Sequence, residues 1–151
     1  MMISLCKEFI FNFRIEGQMI LNDIEVAGNR HDTIYGDCFD WLNRLSKRNE
    51  EFDIVILDPP STSVGKKKKR WSVKKDMPSL ATLATSLVRP GGLLWTSSNC
   101  ASLSIEKFAE MCRQGIADTG RTCSLERIAP MPSDFPSIGS QPVKNIVWRI
   151  N

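Results

Sequence analysis

Two hydrophobic periods alternate along the chain. Residues 54–57 (IVIL) form an unbroken apolar run within FDIVILDPPS. Such a run, apolar on both faces and flanked by turn formers, marks a buried strand of a parallel sheet covered by helices. Ahead of it, Phe39, Leu42 and Leu45 recur at helical spacing in DCFDWLNRLSKRN, with Asp37 placed to cap the helix. Behind it, Leu80, Leu83, Ala84 and Leu87 share one face of a helix expected over 77–87, which ends at Arg89-Pro90-Gly91-Gly92. A second buried strand is expected over 93–97. Ser104 then caps a helix over 105–119 that turns Ile105, Phe108, Met111 and Ile116 inward and stops at Gly120. Segments 122–129 and 143–150 have strand composition and are separated by a Pro-rich loop, APMPSDFPSIGSQP. With no helix between them, they are expected to form an antiparallel pair.

From Tyr35 onward the order is strand, helix, strand, helix, strand, helix, strand, strand, which is an α/β layer sheet. The first residues fit less well: 9–15 (FIFNFRI) alternates like a strand, and 18–26 reads as the end of a helix. A length of 151 residues predicts a single domain, 1–151, with 1–17 as an atypical N-terminal segment and 62–76 as a basic loop. At 42% apolar and 25% charged residues, the composition is that of a soluble globular protein and excludes a disordered or fibrous one. No window approaches the roughly 18 consecutive apolar residues of a membrane span, and neither a signal peptide nor a transit segment is evident. The five cysteines (Cys6, Cys38, Cys100, Cys112, Cys123) are scattered without a C-x-x-C pair. That argues against a disulfide framework or zinc knuckle and for a reducing, intracellular setting, cytoplasmic or organellar. The single histidine, His31, has no partner that would make it a ligand or base and reads as a surface residue.

Charge changes the picture at one place. The net charge is +3, yet residues 66–75 (KKKKRWSVKK) hold seven basic groups and no acidic one, so the rest of the chain is net negative. Phosphate contacts would be concentrated there, through Lys66, Lys67, Lys68, Lys69, Arg70, Lys74 and Lys75, with Trp71 able to stack on an exposed base. The alternative is a solvated loop of like charges or a targeting run.

The blocks YGDCFDWL, FDIVILDPPS, RPGGLLWTSSN, SIEKFAEM, the SDFP loop and the final strand, in this order over residues 18–151, resemble the C-terminal two thirds of a Rossmann-like, S-adenosylmethionine-dependent methyltransferase. More narrowly, they are similar to the ribosomal-RNA large-subunit methyltransferases that modify cytosine C5 or guanine N7. The resemblance implies a mostly parallel sheet with an antiparallel C-terminal strand, lacking the first strand or strands. It also implies S-adenosylmethionine as cofactor and RNA as partner. Ligands of open parallel sheets bind outside the carboxyl ends of the strands, where both Asp58-Pro59-Pro60-Ser61 and Thr96-Ser97-Ser98-Asn99-Cys100 are expected. The prolines stiffen their loop and remove backbone donors, leaving its carbonyls for a base or cofactor.

By the resemblance, Asp37 accepts from the adenine amine with Cys38 and Phe39 beside the ring; by local chemistry alone it is an N-cap. Asp58, with Pro59, Pro60 and Ser61, would form the base and methyl-transfer site. Cys100 has two readings. Cytosine C5 accepts a methyl group only after a thiolate adds at C6, so a cysteine is needed at the base; a buried inert thiol is the other reading. In the cytosine-modifying relatives the cysteine directly follows the serine, whereas Asn99 stands between Ser98 and Cys100 here. The family's aromatic residue after D-P-P-S is replaced by Thr62, and Phe135 separates Asp134 from Pro136.

A methyltransferase of this type opens with a strand, a G-x-G turn and a helix, where the glycines let the backbone approach the cofactor. Upstream of Asp37 the glycines are Gly17, Gly28 and Gly36, none in that spacing. The resemblance is therefore to an N-terminally truncated domain, in which 9–15 is a substitute strand and a second copy or partner chain would complete the sheet and cover its open edge. Two functions follow: an RNA methyltransferase, or a non-catalytic RNA-binding or assembly module. An amino-methyltransferase ranks below both, since it would want an aromatic residue in place of Ser61.

Overall fold

The computed structural model describes residues 37–64, 70–131 and 142–151 together with the backbone of 2–5. Helix α1 (Cys38–Lys47) starts where Asp37 adopts an extended conformation and its side chain accepts from the Phe39 amide, and it buries Leu42 and Leu45. Strand β2 (Phe52–Leu57) follows, with Phe52, Val55 and Leu57 in the core. Strands β3 (Thr62–Val64) and β4 (Arg70–Ser72) form a two-stranded antiparallel ribbon. Helix α2 (Val73–Thr85) comes next, then strand β5 (Val88–Ser98) and helix α3 (Ile105–Ala117), capped by the Ser104 side chain on the Lys107 amide. Strands β6 (Cys123–Ile128) and β7 (Lys144–Ile150) close the order.

The main sheet has the strand order β1-β2-β5-β7-β6, with β1 spanning Met2–Leu5. Strands β1 and β2 pair in parallel, as do β2 and β5, while β7 is antiparallel to both its neighbours, β5 and β6. Four strands therefore share one direction and only the last is reversed, a mostly parallel sheet with an antiparallel C-terminal strand as expected. The strand beside β2 comes from Met2–Leu5, which pairs Met2 with Ile54 and Leu5 with Leu57. The expected substitute strand at 9–15, the short strand near Tyr35, His31 and the SDFP loop lie outside the described residues.

Two boundaries differ from the sequence expectation. Helix α2 begins at Val73, not 77, so the described part of the expected 62–76 loop is a ribbon running straight into a helix. The cause is local: the Asp76 carboxylate accepts from the Ser72 amide across the first turn, at 2.8 Å. Strand β5 also begins earlier than 93. The Arg89-Pro90-Gly91-Gly92 stretch is absorbed as an irregularity in the β2 ladder, where Phe52 pairs with Val88 but Ile54 pairs with Leu93. Gly91 sits at φ +75, and a Cβ on Gly92 would stand 2.9 Å from the Asp53 carbonyl oxygen, so glycine is required at both positions for different reasons.

One apolar core joins the sheet to the helices, with Leu42, Val55, Leu57, Met77, Leu80, Leu94, Phe108, Ile116, Ile146 and Trp148 fully buried. Helices α2 and α3 approach closely at Gly115, where an added Cβ would meet Ala81 Cβ at 2.8 Å; Thr82 Oγ1 donates to the Gly115 carbonyl across the contact. Trp148 Nε1 donates to Thr96 Oγ1, which satisfies the indole inside the core. At the amino end of β5 the Arg121 guanidinium donates to the Thr85 and Val88 carbonyls. The opposite, carboxyl end is left for the site.

Candidate functional site

Strands β2 and β5 are adjacent and parallel, with Leu57 opposite Thr96, so the residues that follow them emerge side by side. Burial stops abruptly on the β2 side: Leu57 is in the core, whereas Asp58 is exposed and Pro59, Pro60 and Ser61 are half-buried. On the β5 side Thr96, Ser97 and Ser98 are buried, Asn99 is exposed and Cys100 is half-buried. A hydrogen bond ties the two exits together, the Ser61 hydroxyl donating to Asn99 Oδ1 at 2.6 Å. The one-residue offset thus has a structural meaning. Asn99, the inserted residue, supplies the bond to the D-P-P-S loop.

Trp71 stands between this crevice and α1. Its indole Nε1 donates to the Pro60 carbonyl at 2.8 Å, and its ring packs against Phe39 with centroids 5.7 Å apart and planes tilted by 58°. The Val73 amide donates to the Ser61 carbonyl at 3.0 Å. Two of the carbonyls that the prolines were expected to leave open are therefore used internally, to hold the loop on the β4–α2 junction. The ring expected to stack on a base makes its polar contact within the chain and links the Asp37–Phe39 end of the crevice to the Asp58–Ser61 end. Among the described residues, the Asp58 carboxylate has no partner.

At the α1 N-terminus, Asp37 Oδ1 accepts from the Phe39 amide at 3.0 Å, as an N-cap does. Its other oxygen has no partner among the described residues. Cys38 and Phe39 are half-buried beside it. A carboxylate oxygen next to an aromatic edge is the chemistry that an adenine amine and ring would call for.

Cys100 is held by its backbone on both sides. Its amide donates to Ser98 Oγ at 3.3 Å, and its carbonyl accepts from the Leu103 amide at 3.1 Å and from Lys144 Nζ at 2.8 Å. The sulfur lies 3.6 Å from Ser102 Oγ. That hydroxyl, with the Ser102 amide and the charges of Lys74 and Lys144, holds the thiol below its ordinary pKa against an opposing effect of burial. Such surroundings favour a reactive thiolate. Cys112 is the contrast: buried on α3, its thiol is pushed up to about 12 by desolvation, and it is inert for the same reason. Arg70, Lys74 and Lys75 are exposed beside the crevice, while Lys66, Lys67, Lys68 and Lys69 lie outside the described residues. Among the described residues no cluster of His, Cys, Asp and Glu could hold a metal, and no helix is long and apolar enough to cross a membrane.

No family model matches the chain. Individual proteins do. The ribosomal RNA large subunit methyltransferase K/L of Saccharophagus degradans is 36% identical over 88 residues, 58% of this chain and 11% of its own length. Its counterpart in Legionella pneumophila is 32% identical over 109 residues, 69% of this chain and 14% of its own length. Over about two thirds of its length the chain is thus similar to ribosomal RNA large-subunit methyltransferases. The fold agrees: a solved structure described as a methyltransferase complexed with SAH superposes with a TM-score of 0.75 over 88% of this chain and 34% of that one, at 22% identity. The chain spans a small part of the length of these curated relatives.

Two site residues escaped the sequence reading. Asn99 was visible only as the residue displacing a cysteine. Lys144 left a clearer signal, because counting back by twos from Ile150, Trp148 and Ile146 reaches Lys144 on the same, inward face of β7.

Proposed function

We propose that the chain is the catalytic half of an S-adenosylmethionine-dependent RNA methyltransferase acting on ribosomal RNA. The observation that carries the reading is the crevice itself: Asp58-Pro59-Pro60-Ser61 and Asn99-Cys100 at adjacent parallel strand ends, joined by Ser61 and Asn99. Asp37, Cys38 and Phe39 would hold the adenine end of the cofactor, which supplies an electrophilic methyl group. The chain's own residues do the rest. Trp71 keeps the adenine end and the transfer loop at a fixed separation. With cytosine as the target, the flipped base enters at the Asp58–Ser61 loop, Cys100 Sγ adds to C6, and Asp58 relays a proton from water to N3. Once C5 has taken the methyl group, a water at the crevice accepts the C5 proton, the C6–S bond breaks to release the Cys100 thiolate, and N3 returns its proton through Asp58 to solvent. Arg70, Lys74 and Lys75, with Lys66 to Lys69, engage the RNA backbone.

Titration calorimetry with S-adenosylhomocysteine tests this reading without needing the RNA. Micromolar binding by the folded chain supports it, and Cys100→Ala should then abolish methyl transfer while leaving that binding intact. The absence of a G-x-G turn upstream of Asp37 favours one alternative, a non-catalytic RNA-binding or assembly module. It predicts salt-sensitive RNA binding with no heat from the cofactor product.

A further inference from the structure

Lysine is almost never buried unless its charge is paired, because removing an ammonium from water is costly. Lys144, the first residue of β7, is only 8% exposed. Among the described residues no carboxylate pairs with it, and its single hydrogen bond goes to the Cys100 carbonyl, 44 residues away in sequence, at 2.8 Å. The β5–β7 register explains the reach: Lys144 lies opposite Ser98, the last residue of β5, so its side chain extends beyond the strand end to the turn that follows. That turn carries both Asn99, which accepts from Ser61, and Cys100, whose carbonyl is also the start of the Leu103 turn.

We propose that Lys144 is the positioning residue of the crevice: a buried ammonium that fixes the Asn99–Cys100 turn and, with Lys74, makes the surroundings of the Cys100 sulfur cationic. A neutral donor could hold the carbonyl equally well; what the ammonium adds is charge at the thiol. Among the described residues, the groups acting on that sulfur are Ser102 on its own turn, Lys74 on the first turn of α2 and Lys144 on β7, with no carboxylate among them. Within that set the two cations favour the thiolate together. The inference rests on reading this crevice as the transfer site, but its test does not.

Alkylation of Cys100 by iodoacetamide, followed by peptide mass spectrometry from pH 6 to 10 on the full chain, reads the thiol directly. Lys144→Met is expected to move the Cys100 profile to higher pH and slow alkylation several-fold at pH 7, and Lys144→Arg to keep it near the parent. Lys74→Met, on an exposed position, is expected to move the profile in the same direction even if Lys144→Met fails to fold. An unchanged profile in a folded Lys144→Met protein, or in Lys74→Met, overturns the proposal; a lower melting temperature with no change in profile reduces Lys144 to a structural prop and also overturns it. The calorimetric result with S-adenosylhomocysteine is independent of all these outcomes, so the methyltransferase reading and this one fail separately.

Discussion

Ser61 Oγ donates to Asn99 Oδ1 at 2.6 Å, and this bond joins the loops that leave two neighbouring parallel strands. Asn99 is exposed, so the bond competes with water and is worth about 0.5–1 kcal/mol, at the low end for a protein hydrogen bond. A double-mutant cycle of Ser61→Ala and Asn99→Ala, read by chemical denaturation, should show a coupling energy of that size. Strict additivity would mean that the two loops are positioned independently.

Trp71 is expected to matter first for structure. Trp71→Phe retains a ring against Phe39 but loses the bond to the Pro60 carbonyl, and it should cost about 1 kcal/mol of stability. Since the loop it releases holds Ser61, S-adenosylhomocysteine affinity and RNA affinity should fall together. If Trp71→Phe leaves the melting curve unchanged while Trp71→Ala weakens only RNA binding, the indole is a stacking platform for a base instead.

The buried Cys112 gives the chain an alkaline limit. Its thiol titrates at about 12 in the folded protein and near 8.5 in an unfolded chain. The folded state therefore keeps a proton that the unfolded state has already lost. The contribution is fully present below the unfolded value and is lost as pH rises above it, by up to about 1.4 kcal/mol per pH unit. Melting temperature should fall from about pH 9 upward, and Cys112→Ala, though less stable at neutral pH, should show a shallower alkaline decline. In native protein Cys100 should be alkylated well before Cys112.

Strands β2, β5, β6 and β7 and helices α1 and α3 were legible because their signals are local: the IVIL run, the helical spacing of Leu42 and Leu45, the Ser104 cap and the β-rich final strands each follow from their own residues, whereas the strand at Met2–Leu5 was not read. The start of α2 was not legible either, because Lys74 and Lys75 read as the end of a solvated loop, whereas the helix begins at Val73 with the Asp76 carboxylate accepting from the Ser72 amide. Within the site, Asp37 and the D-P-P-S segment could be named from pattern and resemblance. The bond between Ser61 and Asn99 spans 38 residues and that between Lys144 and Cys100 spans 44. Pairings of this kind depend on strand register, which the one-dimensional pattern does not carry.

Salt dependence separates the two readings of the basic segment. Residues 66–75 hold seven cations, and each one that neutralises a phosphate of single-stranded RNA contributes about −0.7 to the slope of log K against log salt. Full engagement therefore predicts a slope of about −5, and replacing Lys66, Lys67, Lys68 and Lys69 with alanine should make it shallower by about 3. Because Lys74 also acts on the Cys100 thiol, Lys74→Met should change both the slope, by about 0.7, and the alkylation profile. The substitutions at 66–69 should change only the slope. A solvated loop that never meets RNA would leave the slope unmoved in every variant, and fluorescence anisotropy with a labelled single-stranded RNA at four or five salt concentrations distinguishes the outcomes.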